Sequence, residues 1–142
     1  LLSPEMSPRD LIYRSFFYEK SDMKILGIDD NTDITELLDT VLNGSGHEYT
    51  FVNDGKSGIE KIKENQYDLI LLDLSMPGFS GEDVLAELNK EKLVKKQKII
   101  IFSASSNNDS EMEEFVSKNG AYGYIRKPVD VDKLLEQLDG MQ

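Results

Sequence analysis

Short apolar runs alternate with amphipathic stretches along most of the chain. Five runs rich in β-branched and aromatic residues have the length and composition of strands; they lie at 25–28, 48–52, 69–72, 99–102 and 122–125. Continuous apolar runs of this length are typical of strands that are buried on both faces of a parallel sheet.

Helical periodicity fills the intervals between these runs and the stretch after the last one. A long stripe with the spacing i, i+3, i+4, i+7 and i+8 is formed by Ile34, Leu37, Leu38, Val41 and Leu42, and a similar one by Val131, Leu134, Leu135 and Leu138. Shorter stripes are Ile59 with Ile62, Val84 with Leu85 and Leu88, and Met112 with Phe115 and Val116. We expect these stripes to pack in the core.

Five strand-then-helix units predict one doubly wound α/β domain: a five-stranded parallel sheet with right-handed crossovers and helices on both faces.

Residues 1–22 differ from this pattern and are interpreted as an N-terminal extension of a domain that spans 23–142. The segment Ser7-Pro8-Arg9-Asp10 combines a capping Ser, a Pro at the first helical position and an acid at the third, which predicts a short helix through about Lys20. Its aromatic residues would form an exposed apolar patch unless covered, so we expect them to pack on the domain or on a second copy in a homodimer. An upstream-domain remnant or residues introduced by cloning are the alternatives.

The composition narrows the range of partners and compartments. Asp and Glu number 27 against 16 Lys and Arg, a net charge of -11 that would repel nucleic acid and anionic membranes. Cysteine is absent and His47 is the single histidine, which excludes disulfides, zinc-thiolate sites and two-histidine metal sites. Since no apolar run approaches the ~18 residues of a membrane span, we expect a cytoplasmic protein that binds neither membranes nor nucleic acid.

Polar residues follow four of the predicted strands. The first strand is followed by Asp29 and Asp30, the third by Asp73, the fourth by Ser103, and Lys127 comes just after the fifth. In a doubly wound fold the carboxyl ends of the strands share one edge, where ligands bind. Crowded carboxylates repel each other unless a cation joins them, and a set of oxygen donors favours Mg²⁺.

These residues also suit phosphoryl chemistry. A Mg²⁺ ion held by few carboxylates keeps positions for phosphate oxygens. Lys127 offers a positive charge to a phosphoryl group, and the Ser103 hydroxyl offers a hydrogen bond. Asp73, on a central strand, is the candidate nucleophile that would form an aspartyl phosphate.

The same segments carry a resemblance to a known family. They are Ile25-Leu26-Gly27-Ile28-Asp29-Asp30, Leu69-Ile70-Leu71-Leu72-Asp73-Leu74-Ser75-Met76-Pro77-Gly78 with Gly81, Ser103-Ala104, and Tyr124-Ile125-Arg126-Lys127-Pro128. Together they resemble the receiver domain of two-component response regulators, and the likeness runs from about Met23 to Leu138. It implies the flavodoxin-like fold of the chemotaxis regulator, with strand order 2-1-3-4-5 and five helices.

The resemblance implies a role for each site residue. Asp73 would accept a phosphoryl group from the phosphohistidine of a sensor histidine kinase or phosphotransfer protein, and the chain would catalyse only its own phosphorylation and dephosphorylation. Asp30 would bind Mg²⁺ directly and Asp29 would assist, while Asp73 and the backbone carbonyl of Ser75 would complete the protein ligands. Ser103 and Lys127 would hold the phosphoryl oxygens.

The resemblance also implies a switch. Phosphorylation would draw the Ser103 hydroxyl inward, and Tyr124 would turn inward after it. The face made by the fourth helix, the fifth strand and the fifth helix would then change its output partner, whose identity the sequence leaves open. The Lys127-Pro128 peptide bond resembles one that is usually cis in the family.

Three other functions fit the residues less well. Phosphatases of the haloacid dehalogenase type need a second Asp two residues after the nucleophile, where this chain has Ser75. A flavodoxin-like cofactor site is disfavoured because Asp29 and Asp30 would repel a bare phosphate. A degenerate receiver that only binds proteins is disfavoured by the complete set of matching residues.

Overall fold

The computed structural model describes residues 7–9, 22–104 and 106–141. Its strands are β1 (Lys24–Ile28), β2 (Glu48–Val52), β3 (Leu69–Asp73), β4 (Lys98–Ser103) and β5 (Gly123–Arg126). Its helices are α1 (Thr32–Gly44), α2 (Gly55–Glu64), α3 (Gly81–Lys90), α4 (Asp109–Asn119) and α5 (Val131–Gly140), with a short 3-10 turn at Val94–Lys96. Residues 23–130 form one compact unit, and α5 belongs to a second unit.

The five strands form one parallel sheet in the order β2-β1-β3-β4-β5. This confirms the fold class and the strand order expected from the sequence. The predicted strand limits differ from the observed ones by at most one residue at either end.

The core lies around the three central strands. Every residue of β3 is buried, and the buried side chains of β1 and β4 pack with apolar residues of α2 and α3. Strand β2 alternates between exposed and buried positions, and in β5 only Ile125 is buried. The expectation that all five runs are buried on both faces was therefore wrong for these two edge strands, each of which has one neighbour in the sheet.

The stripe on α1 is core only in part. Leu38 and Leu42 are buried, but Leu37 is 52% exposed, so its predicted place in the core was wrong. Successive residues of a helix differ by about 100°, which puts Leu37 well away from the side that Thr35, Leu38 and Leu42 turn inward. Helix α1 is capped by Asn31, whose side chain accepts hydrogen bonds from the backbone N–H groups of Asp33 and Ile34.

Close packing disfavours a side chain at several glycines, and the contacts are shortest at Gly27 and Gly81. A Cβ atom on Gly27 would collide with the hydroxyl of Tyr49, a residue of the neighbouring edge strand β2. A Cβ atom on Gly81 would collide with the carbonyl oxygen of Asp73, so α3 begins directly against the end of β3. The second contact allows the segment after Asp73 to turn tightly at the edge of the sheet.

The N-terminal helix prediction falls almost wholly outside the described residues. Of that segment, residues 7–9 are described, and Pro8 and Arg9 have helical backbone. Within the described ranges, none of the helices has the length and apolar character needed to cross a bilayer.

Candidate functional site

Three carboxylates meet at the carboxyl ends of β1 and β3. Asp29 and Asp30 follow β1, Asp73 ends β3, and each offers an oxygen within 4.8 Å of the others. The register pairs Ile28 with Leu72, so the residues that follow these two lie side by side. Asp29 and Asp73 are buried, whereas Asp30 is exposed at the mouth of the cluster. The convergence expected from the topology is therefore observed.

Lys127 supplies a positive charge to this cluster. Its Nζ lies 3.1 Å from Oδ1 of Asp73 and 3.4 Å from Oδ2 of Asp29, and its side chain is only 18% exposed. The backbone N–H of Lys127 donates to the carbonyl oxygen of Ser103 at 2.8 Å, which ties the residue to the end of β4. The Lys127-Pro128 peptide bond is cis.

Backbone amides hold one oxygen of each buried carboxylate. The N–H of Ser75 donates to Oδ1 of Asp73 at 3.2 Å, and the N–H of Asn31 donates to Oδ1 of Asp29 at 2.9 Å. The second oxygen of Asp73, Oδ2, has no hydrogen-bond partner in the described part of the chain, and Oδ2 of Asp29 has only the ion pair with Lys127 at 3.4 Å. Buried carboxylate oxygens rarely lack partners, so Oδ2 of Asp73 can accept a further ligand.

The cluster carries more negative than positive charge, and burial and these charges shift the pKa values of Asp73 and Lys127. Burial raises the pKa of Asp73 and the charge of Asp29 raises it further, while the hydrogen bond from Lys127 opposes both effects. Burial acts to lower the pKa of Lys127, but its hydrogen bond to Asp73 and the charge of Asp29 outweigh this and raise it. Among the described residues, one ammonium group, that of Lys127, pairs with two of the three carboxylates, which leaves an excess of negative charge in a partly buried site.

The donor set fits a hard divalent cation. Among the described residues the ligand atoms of the cluster are carboxylate oxygens, Oδ2 of Asp73 is buried without a hydrogen-bond partner, and the excess charge is negative. These are the properties of a Mg²⁺ site with open coordination positions. When bound, Mg²⁺ would neutralise the carboxylates and bind phosphoryl oxygens.

Ser103 and Tyr124 lie on the neighbouring strands. Asp73 pairs in register with Phe102, so the buried Ser103 lies one residue beyond that pair, at the edge where the carboxylates meet. Tyr124 pairs with Ile101, and its hydroxyl donates to Oδ1 of Asp109 at 2.8 Å. This hydrogen bond lowers the pKa of Asp109 and raises that of Tyr124.

Asn53 holds the loop that carries Asp29 and was not identified from the sequence. The Asn53 side-chain amide donates to the carbonyl oxygen of Asp29 at 2.8 Å and to the hydroxyl of Thr35 at 3.1 Å. It thereby ties the loop that carries Asp29 to helix α1. Because Asn53 directly follows the second predicted strand, the strand-end argument that found the other site residues also applies to it.

Comparisons with known proteins agree on one family. The profile of the response regulator receiver domain matches residues 25–139. Response regulator ArlR of Staphylococcus saprophyticus is 31% identical over 118 residues, which cover 83% of this chain and 51% of that protein. The cell cycle transcriptional regulator CtrA of Caulobacter vibrioides is 33% identical over 116 residues, 82% of this chain and 48% of that protein. The chain thus spans about half the length of these relatives.

A solved structure gives the same result. The response regulator TrrA of Thermotoga maritima, crystallised in complex with Mg²⁺-BeF, aligns with a TM-score of 0.68 and 33% identity, covering 83% of this chain and 97% of that one. Receiver domains are signalling domains of two-component systems that interact with histidine kinases and output domains. By fold, sequence profile and relatives, this chain belongs to the response regulator receiver domain family.

Proposed function

We propose that Asp73 is the phosphoacceptor of this receiver domain and that it takes a phosphoryl group from the phosphohistidine of a histidine kinase or phosphotransfer protein. The observation that carries the proposal is the environment of the Asp73 carboxylate. It is buried, its Oδ1 lies 3.1 Å from the ammonium group of Lys127, and its Oδ2 is without a hydrogen-bond partner in the described structure.

The reaction requires one bond to form and one to break. A carboxylate oxygen of Asp73 attacks phosphorus, the phosphorus–nitrogen bond of the donor breaks, and the imidazole leaves with its bonding electron pair and takes up a proton. Lys127 stays charged and offsets the negative charge of the phosphoryl oxygens. The Ser103 hydroxyl donates a hydrogen bond to one of them.

Mg²⁺ is assigned to the acidic cluster. Asp29, Asp30 and Asp73 supply carboxylate oxygens, and the backbone carbonyl of Ser75 completes the protein ligands. The cluster of oxygen donors and its excess negative charge support this assignment.

The output is a change of protein partner. Phosphorylation of Asp73 acts through Ser103 and Tyr124 on the surface that includes α4 and β5, and an output domain or protein reads that change. We place this process in the cytoplasm, where kinase and output partners are found. Residues 1–22 are assigned to an extension that the phosphoacceptor chemistry does not use, since every site residue follows Met23.

The proposal is tested with a small phosphodonor. Incubation with acetyl phosphate and Mg²⁺ should add about 80 Da, the mass of one phosphoryl group, to the intact protein. Asp73→Asn should abolish this product because it removes the nucleophile. Asp68→Asn is the matched control: Asp68 lies just before the other end of β3 and accepts a hydrogen bond from the backbone N–H of Lys24.

The control variant should be labelled as well as the parent chain, and peptide mapping should place the group on Asp73. Labelling that persists in Asp73→Asn, or that proceeds equally well with EDTA, would contradict the proposal.

A further inference from the structure

Tyr124 and Arg126 converge on one carboxylate outside the phosphoryl site. They are alternate residues of β5 and therefore lie on the same face of the strand. The Tyr124 hydroxyl donates to Oδ1 of Asp109 at 2.8 Å, and Nη2 of Arg126 lies 3.1 Å from the same oxygen. Asp109 is the first residue of α4.

Two further contacts of Arg126 close this arrangement. Its guanidinium lies 5.7 Å from the centre of the Tyr124 ring, and it donates to the carbonyl oxygen of Asn107. The group formed by Asn107, Asp109, Tyr124 and Arg126 is called the Asp109 latch below. It ties the loop before α4 to the middle of β5.

One end of the Asp109 latch adjoins residues of the phosphoryl site. Arg126 pairs in register with Ser103 and immediately precedes Lys127. At the other end, Asn107 and Asp109 follow Ser103 by four and six residues along the chain. A movement of Ser103 or Lys127 toward a phosphoryl group would therefore be transmitted to the latch first through Arg126.

The contacts of the latch are exposed to solvent and therefore weak. The side chain of Asp109 is 77% exposed and that of Arg126 is 37% exposed, so solvent competes for both charged groups. Exposed ion pairs contribute little to stability, and their loss is small beside the energy of a new charge-assisted phosphoryl contact. The latch therefore favours the present position of Tyr124 but is too weak to fix it there.

We propose that Asp109 is a positioning residue that holds Tyr124 in its present place in the unphosphorylated chain and so opposes phosphorylation of Asp73. The inference rests on the function proposed above. Loss of the latch lowers the cost of moving Tyr124 and tightens the binding of a phosphoryl mimic.

The test is a double-mutant cycle in the full chain with Asp109→Asn and Tyr124→Phe. The measured quantity is the affinity for beryllium fluoride in the presence of Mg²⁺, followed by fluorine NMR. Each single variant should bind the mimic roughly twofold to fivefold more tightly, in line with the strength of an exposed ion pair or hydrogen bond. The double variant should be no tighter than the tighter single variant, because Tyr124→Phe removes the hydrogen bond that Asp109→Asn weakens by removing the charge of its acceptor.

The matched control is Glu111→Gln, which makes the same change of charge in the same first turn of α4. It should leave the affinity within the error of the parent value. Unchanged affinity in Asp109→Asn, strictly additive effects in the double variant, or an equal gain in Glu111→Gln would overturn the role of the latch. If the parent chain bound no mimic and took no phosphoryl group, the proposed function would fall, and this inference with it.

Discussion

At the scale of single residues, the site is dominated by a carboxylate in an unfavourable environment. Burial and the charge of Asp29 raise the pKa of Asp73, so the folded chain binds a proton there more readily than the unfolded chain does. The stability that this group contributes is present below the ordinary carboxyl pKa and is lost as the pH rises through the raised value. At neutral pH the ionised Asp73 therefore opposes folding.

Asp73→Asn should accordingly stabilise the metal-free chain at about pH 7, because it removes a charge that is buried beside Asp29. The gain should shrink toward about pH 4, where the carboxyl of the parent chain binds a proton. Urea unfolding at both pH values, with EDTA present, measures the difference. A variant that is less stable than the parent at neutral pH would show that the ion pair with Lys127 outweighs burial.

The residues that meet at the site were predictable, whereas their detailed partners were not. The position of each polar residue after an apolar run was enough to bring Asp29, Asp73 and Lys127 together. Which carboxylate oxygen is held by a backbone amide and which is left without a hydrogen bond depends on turn geometry within a few tenths of an ångström. Hydrophobic patterning carries no information at that level.

At the scale of elements, burial was predicted most reliably for the central strands and least reliably for the edge strands. The runs 69–72 and 99–102 consist of apolar residues and are buried on both faces of the sheet. An unbroken apolar run indicates such burial directly in the sequence. The run at 48–52 also contains Glu48 and Thr50, and it lies at the edge of the sheet, where these two residues are exposed. The role of Gly27 is likewise non-local, since it is required by Tyr49 of the neighbouring strand.

Helix α1 offers a direct test of this distinction. Leu38 is buried and Leu37 is half exposed, although the two are adjacent and identical in type. Leu38→Ala should destabilise the chain by about 2–4 kcal/mol through lost burial and a cavity. Leu37→Ala should change stability by less than about 1 kcal/mol because little burial is lost.

Chemical unfolding of the two variants under identical conditions provides the comparison. Equal losses of stability would mean that Leu37 is covered in solution, by another segment or by a second copy of the chain. A loss confined to Leu38→Ala would agree with the exposure observed.

At the scale of the whole molecule, the acidic cluster couples metal binding to folding. A chain with an excess of negative charge collects three carboxylates at the ends of its central strands, and among the described residues Lys127 is the cation paired with them. The unfolded chain has no such site, so a cation that binds there favours the folded state by mass action.

Mg²⁺ at about ten times its dissociation constant should therefore stabilise the parent chain by about 1.4 kcal/mol, which corresponds to a rise in Tm of several degrees. Asp30→Asn should lose most of this effect, because Asp30 offers the exposed oxygen of the cluster. Asp33→Asn is the matched control, since it removes one negative charge from the first turn of α1, and Asp33 lies outside the cluster.

Thermal unfolding with Mg²⁺ and with NaCl at equal ionic strength separates site binding from charge screening. A Tm that rises equally in NaCl, or equally in Asp30→Asn and the parent chain, would mean that the cluster does not hold the ion.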